Sequence, residues 1–298
     1  MTARPMSRTA ATSRAVLLGA LGIILLGVIW EVYKAIGPAT GFEVAGFQLL
    51  PRTTDVAMPH LWDMAARAFA PVNSSATSQP VWLAVALGCL SSLGTAALGL
   101  LVGTIVGVAL ALLMLRFRTA EHAVLPWLIL SQTVPLIALA PLIVSWGGRI
   151  HIGDLSWERW MSVAVIASYL YFFPIAIGAL RGFQSPQVAH TELMHSYAAG
   201  WWKTLVYLRL PASVPFLIPA VRLGAASAII GTVVAEVSTG AKGGIGRLII
   251  EYAQSGSSDP AKAYSPIAGA VLMGLAAAGI VAVIALTLGR YRRNEVTS

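Results

Sequence analysis

Six stretches of this chain, near residues 15–36, 81–115, 123–147, 159–181, 213–237 and 265–289, are each apolar over about twenty residues or more. That is the length a helix needs to cross the hydrocarbon core of a bilayer. Inside that core every backbone N–H and C=O must find a partner within the protein, which only helices and closed barrels achieve. Runs of this length read as helices, so the expected fold is an all-α integral membrane protein with six transmembrane helices. Composition agrees: 57% of the 298 residues are hydrophobic and only 11% charged, with a mean hydropathy of +0.77. The apolar runs recur along nearly the whole chain, so residues 1–298 read as a single transmembrane domain.

The first run follows Arg4, Arg8 and Arg14 as the core of a signal peptide would, but Trp30, Glu31 and Lys34 stand where small residues should mark cleavage. It reads as a retained anchor. The second run exceeds a perpendicular crossing and should tilt or extend beyond the bilayer.

Basic residues in the short connections set the orientation. With the N-terminus in the cytoplasm, that side carries Arg4, Arg8, Arg14, Arg116, Arg118, Arg181, Lys203, Arg209, Arg290, Arg292 and Arg293. The other side carries Lys34, Arg52, Arg67, Arg149, Arg159, Lys242, Arg247 and Lys262, nearly balanced by acidic residues. Both termini are therefore expected in the cytoplasm of a cell whose inner (plasma) membrane holds the protein. Residues 1–14 become a basic cytoplasmic N-terminus, 37–80 an external segment and 186–212 a cytoplasmic loop between the fourth and fifth helices. The net charge of +8 then follows from positive-inside bias and needs no nucleic-acid partner.

Within the apolar segments a few residues stand out. Gly99, Gly103 and Gly107 recur every four residues, in register with Thr95 and Ala111, and lay a small-residue stripe along the second helix. Such a stripe suits a moving or dimerising interface, or static packing within one subunit, which is the favoured reading. The third helix carries Pro126, Pro135 and Pro141, each expected to bend or interrupt it, and Pro135 and Pro141 are candidates for a pathway wall. Arg222 and Glu236 in the fifth helix, with Glu31 near the outer end of the first, are ionisable groups where charge is expensive. Fourteen residues separate Arg222 from Glu236, about 21 Å along a helix, so they cannot pair with each other. Arg222 suits either a pathway or carbonyls between helices, and Glu236 either a pathway or the cap of a loop.

Catalysis is not expected. No GxxxxGK[ST] or HExxH occurs, and His190 and His195 are five apart, about 140° around a helix, poorly placed to share a metal. The lone Cys89 permits neither an intramolecular disulfide nor a thiolate cluster. No cofactor or metal site is expected on this chain.

The stretch "HTELMHSYAAGWWKTLVYLRLPASVP", residues 190–215, is polar and aromatic by contrast. Leu193, Tyr197, Trp201 and Leu205 recur four apart beside Glu192, His195 and Lys203. This spacing predicts one or two short amphipathic helices, broken near Ala198 to Gly200 and stopped by Pro211. Such a segment can lie on the membrane or dock into a groove on a partner.

The stretch resembles the cytoplasmic EAA loop of permease subunits of ATP-binding-cassette importers, which reads Glu-Ala-Ala, three residues, Gly, nine residues, Ile, one residue, Leu-Pro. Glu192 takes the Glu position, Ala198 the Gly, Leu208 the Ile, and Leu210 with Pro211 the Leu-Pro, while Leu193 and Met194 replace the alanines. "LPWLILSQTVPLIALAPLIVSWGG", residues 125–148, is similar to the proline-punctuated third helix of the subfamily importing sulfonates, nitrate and vitamin precursors. "AEVSTGAKGGIGRLI", residues 235–249, resembles that subfamily's Ala-Glu and glycine-rich turn. The resemblance implies a translocation pathway for a small solute, with Glu192, Leu193, Tyr197, Ala198, Gly200, Trp201, Leu210 and Pro211 coupling it to an ATPase. It implies as partners two ATP-binding subunits carrying ATP and Mg, a second permease subunit and an external substrate-binding protein. A homodimer is the favoured assembly. Alanine at position 198 suggests either that the turn is shifted, with Gly200 supplying the flexibility two residues later, or that the chain tolerates a tilted dock as one of two non-identical permeases; the shifted turn is the favoured reading. The alternative is a secondary transporter or channel driven by an ion gradient, using Arg222 and Glu236 to handle charge.

Overall fold

Proline and glycine decide where the long apolar runs stay straight and where they break. A computed structural model describes residues 8–44, 47–75, 77–153 and 155–287. Arg4 and the terminal Arg290, Arg292 and Arg293 of the orientation argument lie outside them. In chain order the elements are α1 (Arg8–Ile36), β1 (Phe42–Val44), β2 (Phe47–Leu50), α2 (Leu61–Phe69), α3 (Val81–Arg116), α4 (Arg118–Ser131), α5 (Leu136–Gly147), β3 (His151–Ile152), β4 (Leu155–Ser156), α6 (Arg159–Gln184), α7 (Val188–Ser196), α8 (Trp201–Thr204), α9 (Leu210–Thr239), α10 (Ile245–Gln254) and α11 (Pro260–Thr287). The strands form two small antiparallel pairs, β1 with β2 and β3 with β4. Every element long enough to cross a membrane is helical.

Five helical runs among the described residues have that length and apolarity: Leu17–Ile36 within α1, then α3, α6, Trp201–Thr239, and α11. The sixth expected span, 123–147, is not one helix. Helices α4 and α5 meet at 102° across a short break, so they make a sixth crossing only as a bent pair. Pro135 sits at that break: it has no N–H with which to continue the α4 ladder, and it disfavours helical backbone at Val134. Pro126 and Pro141 lie inside α4 and α5 without breaking them.

Nor does Pro211 stop a helix. The chain runs helically from Trp201 to Thr239 through α8, a π-helical turn over Leu205–Arg209, and α9. In a regular helix the Pro211 ring would collide with the carbonyl four residues back. The π turn, closed by the Leu210 N–H bonding to the Leu205 carbonyl, widens the helix just before that point and relieves the clash.

The chain packs as two units. The first comprises residues up to Trp82 together with Tyr252–Ser265. Within it, the buried ammonium of Lys34 pairs with Asp55 at 2.6 Å and donates to the Met58 carbonyl. That ammonium holds the exposed Asp55 carboxyl below the usual aspartate range. Glu31 accepts from the Leu61 N–H and meets His60 Nδ1, both at 2.8 Å, and so caps the start of α2. Arg67 pairs with Asp259 at 2.7 Å.

The second unit comprises Leu83–Glu251 with Pro266–Ser298. Helix α6 is its axis: Ser162, Ile166, Ala167, Ile175, Ala176 and Ala179 are fully or almost fully buried along it. Three clusters follow its length, with Phe183 and Leu205 at one end, Tyr171 and Ala220 in the middle, and Val163 and Ala235 at the other. Many of these residues are small. In lipid there is no hydrophobic gain from bringing helices together, so close backbone approach and dispersion supply the attraction. The large aliphatic side chains of α3 and α11, such as Leu101, Ile105, Leu272 and Leu275, point outward instead.

Candidate functional site

The polar stretch 188–205 divides into two parts of different character. Helix α7 buries none of its residues, and Glu192 is exposed with no hydrogen-bond or ion-pair partner among the described residues. Leu193 and Tyr197 are 52% and 77% exposed, so α7 and the Tyr197 that caps its end present an acid and two large side chains to their surroundings. Beyond the break, Trp201 is half-buried beneath the Arg116 guanidinium, 5.6 Å from its ring, and Thr204 and Leu205 are buried. Arg209 donates to the Phe183 carbonyl at 3.1 Å. The apolar repeat Leu193, Tyr197, Trp201, Leu205 is therefore not one face. The four-residue period fails at the break, leaving the first two residues outside and turning the last two inward. Leu210 and Pro211 are exposed at the start of α9, beside the π turn.

The turn itself is not shifted. Ala198 has φ +52°, in the left-handed region, while Gly200 has φ −67° and ψ 169°, ordinary extended backbone before α8. A Cβ at Gly200 would meet nothing within 4 Å. The strain thus stays where the resembled loop has its glycine, and Gly200 supplies no special conformation. Ala198→Gly should stabilise the turn by about 1 kcal/mol, the cost of a left-handed L-residue, and Gly200→Ala should be close to neutral. Hydrogen exchange of the amides from Leu193 to Trp201 checks this: protection should rise only in Ala198→Gly, and unchanged protection there would mean that Ala198 carries no strain.

The stripe of Gly99, Gly103 and Gly107 faces α6 within the same chain. A Cβ at these positions would come within 2.6 Å of Ala167 Cβ, 2.9 Å of Tyr171 Cδ1 and 2.7 Å of the Phe172 carbonyl, respectively. Of the two uses open to the stripe, packing within one subunit is the one seen. A second set of small contacts was legible and unused: Gly178-x-x-x-Gly182 on α6 faces Ala220 and Ser213 on α9.

Glu236 is 3% exposed. Its carboxyl accepts the Gly246 N–H at 2.9 Å and the Ser92 hydroxyl at 2.8 Å, while the Ser92 oxygen accepts the Ile245 N–H at 2.8 Å. Together they satisfy two N–H groups that open α10, which a helix start leaves without internal partners. Gly240, at φ +62°, ends α9 with its N–H on the Glu236 carbonyl and lets the chain double back. Gly244 and Gly246 leave room for the carboxyl, since a Cβ on either would strike the Glu236 side chain. Glu236 is thus a loop cap. Ser92 could not be found from the sequence, because a serine inside an apolar helix has no periodic or motif signal.

Arg222 is exposed and, among the described residues, makes no hydrogen bond or ion pair. It lines a cleft of about 420 Å³ with Pro215, Ile218, Pro219, Leu223 and Ala226, all on one face of α9. Pro135 and Pro141 are also exposed and do not line this cleft. The structure does not bring Arg222 and Glu236 together. Among the described residues no group of three or more His, Cys, Asp or Glu side chains could hold a metal ion.

The chain is similar to curated relatives over part of their length. The chain is 33% identical to the formylaminopyrimidine transport permease protein ThiX of Halalkalibacterium halodurans over 156 residues, 52% of this chain and 58% of that protein. It is 33% identical to the riboflavin transport system permease protein RibX of Chloroflexus aurantiacus over 134 residues, 45% and 46% of the two. To the putative aliphatic sulfonates transport permease protein SsuC of Bacillus subtilis it is 28% identical over 163 residues, 55% of each. The chain therefore spans about half the length of the curated relatives it matches. Residues 99–292, which include the glycine stripe, the bent pair α4–α5, the α7–α8 segment, Arg222 and the Glu236 cap, match one family over more than half of the chain. This multi-pass membrane protein belongs to the family of binding-protein-dependent transport system inner membrane components.

Proposed function

We propose that this chain is the permease subunit of an ATP-driven importer and forms the translocation pathway for a small solute delivered by an external binding protein. The observation that carries the reading is the segment 188–205, where α7 leaves Glu192, Leu193 and Tyr197 uncommitted and α8 is anchored into the helical core. An exposed acid flanked by large apolar side chains suits a cleft on a partner. Residues 186–212 are the cytoplasmic coupling loop, 37–80 the external segment and 1–14 a basic cytoplasmic tail, with both termini inside. Two ATP-binding subunits hold ATP and Mg, this chain carries out no catalysis and binds no cofactor, and a second copy completes the pathway. Force applied to α7 and α8 reaches the membrane along the helical run Trp201–Thr239, which is 39 residues long. The π turn over Leu205–Arg209 is the joint at which that run can bend.

Membership of a family of binding-protein-dependent systems argues against the gradient-driven alternative. Co-purification tests the reading: an ATPase should come with the full chain in fixed ratio, and its absence would overturn the assignment. Within that complex Glu192 should make a charge-assisted contact with a basic group of the ATPase. Glu192→Ala should leave insertion intact and weaken the ATPase contact about tenfold, read as lost stimulation by the loaded binding protein. Unchanged stimulation would remove Glu192 from the interface.

A further inference from the structure

Helix α2, Leu61–Phe69, buries none of its residues and leaves its apolar face open. Leu61, Trp62, Ala65, Ala66 and Phe69 are spaced i, i+1, i+4, i+5 and i+8, which gathers them on one face about 140° wide. All five are exposed, Trp62 by 60% and Phe69 by 76%. Asp63 and Arg67 lie on the opposite side, where Arg67 pairs with Asp259 at 2.7 Å. The helix thus rests on its half-buried Met64, Arg67 and Ala68, with the apolar face turned away.

Both ends of α2 are tied to the ends of membrane-spanning helices. At its start the Leu61 N–H donates to Glu31 at 2.8 Å, and a Cβ at Gly27 would stand 3.3 Å from Leu61 Cδ1, both in the second half of the apolar run Leu17–Ile36. At its other end the Ala70 carbonyl accepts the N–H of Val81, the first residue of α3, and Arg67 holds Asp259, the residue before α11. Aromatic side chains gather there too. The Trp30 indole donates to the Pro59 carbonyl at 3.1 Å, the Tyr33 hydroxyl to Pro51 at 2.9 Å and the Tyr264 hydroxyl to Ala57 at 2.9 Å, with Trp30 and Tyr264 packed edge to face at 5.7 Å. Rings with an apolar body and a hydrogen-bonded polar tip concentrate where hydrocarbon meets water.

We propose that α2 is an interfacial helix, lying in the plane of the bilayer surface with Leu61, Trp62, Ala65, Ala66 and Phe69 sunk among lipid and Asp63 in water. Lipid is the occupant because the open face begins against Gly27 of α1, a helix whose Ile24 and Val28 are themselves exposed, so one apolar surface runs from the span onto α2. Seated there, the helix sets the level at which α1 ends and α3 and α11 begin. The proposal stands on the membrane spans and is independent of the ATPase reading.

The test uses the full chain with Cys89→Ser and one of Phe69→Cys, Trp62→Cys or Asp63→Cys, labelled with bimane and reconstituted into phosphatidylcholine vesicles. A parallel set contains phosphatidylcholine brominated near the top of its acyl chains, which quenches only fluorophores that it touches. Quenching at Phe69→Cys and Trp62→Cys should exceed that at Asp63→Cys, about 120° around the helix from Phe69, by about threefold. Trp62→Cys reads the same face should Phe69→Cys fail to fold. Equal quenching on the two faces, or none at either apolar position, would overturn the proposal. Disulfide-linked dimers of unlabelled Phe69→Cys, or loss of quenching when the binding protein is added, would give the face to a second copy or to that protein and overturn the assignment to lipid.

Discussion

Leucine in place of Gly107 should sharply reduce the yield of folded protein, whereas leucine in place of Gly94 on the same helix should be tolerated. The contrast comes from what each side chain would meet. A Cβ at Gly107 stands 2.7 Å from the Phe172 carbonyl and 3.0 Å from Ile175, so α6 itself must move, while a Cβ at Gly94 meets nothing within 4 Å. Overpacking a rigid contact costs roughly 1–3 kcal/mol, and a clash with backbone belongs at the upper end. Because the same stripe also seats Gly99 and Gly103 on α6, a shift at Gly107 spreads along the pair. Monodispersity and unfolding temperature in detergent give the measurement. Equal behaviour of the two variants would mean that the α3–α6 contact is not close.

The second large effect is expected at Glu236. Removing its carboxyl with Glu236→Ala leaves the buried Gly246 N–H without an acceptor and the Ser92 hydroxyl without its partner. Losing two hydrogen bonds of this kind in a buried site costs about 3 kcal/mol, which is several degrees in unfolding temperature. Glu236→Gln should recover part of that loss, because its amide oxygen still accepts one N–H while its amino group offers a donor where Ser92 needs an acceptor. Limited proteolysis between Gly240 and Gly246 should follow the same order, with Ala most susceptible. If Ala and Gln are equally stable and both match the parent, Glu236 does not hold the start of α10.

Length and hydropathy were enough to place the membrane helices, because a bilayer forces every spanning segment to satisfy its own backbone and to be apolar over a fixed distance. Five runs, α1, α3, α6, α9 and α11, start or end within a few residues of the positions read from the sequence. The glycine stripe and the ionisable residues within the spans were visible too, as residues that do not belong on a lipid-facing surface. Their partners were not. Which helix receives Gly99, Gly103 and Gly107, that Ser92 stands between Glu236 and Ile245, and that Arg222 finds no carboxylate among the described residues all depend on contacts between residues far apart in sequence. Prolines divided along the same line. Each one removes a donor wherever it stands, yet of Pro126, Pro135, Pro141 and Pro211 only Pro135 sits at a break, because the chain at Pro211 had a π turn with which to absorb the loss and at Pro126 and Pro141 the helix simply continues. At Ala198 the sequence placed the turn, and only the backbone showed that an alanine had taken the left-handed conformation itself. Local sequence fixes what each segment can satisfy alone; the tertiary structure decides how the remainder is satisfied, through neighbours that no local pattern names.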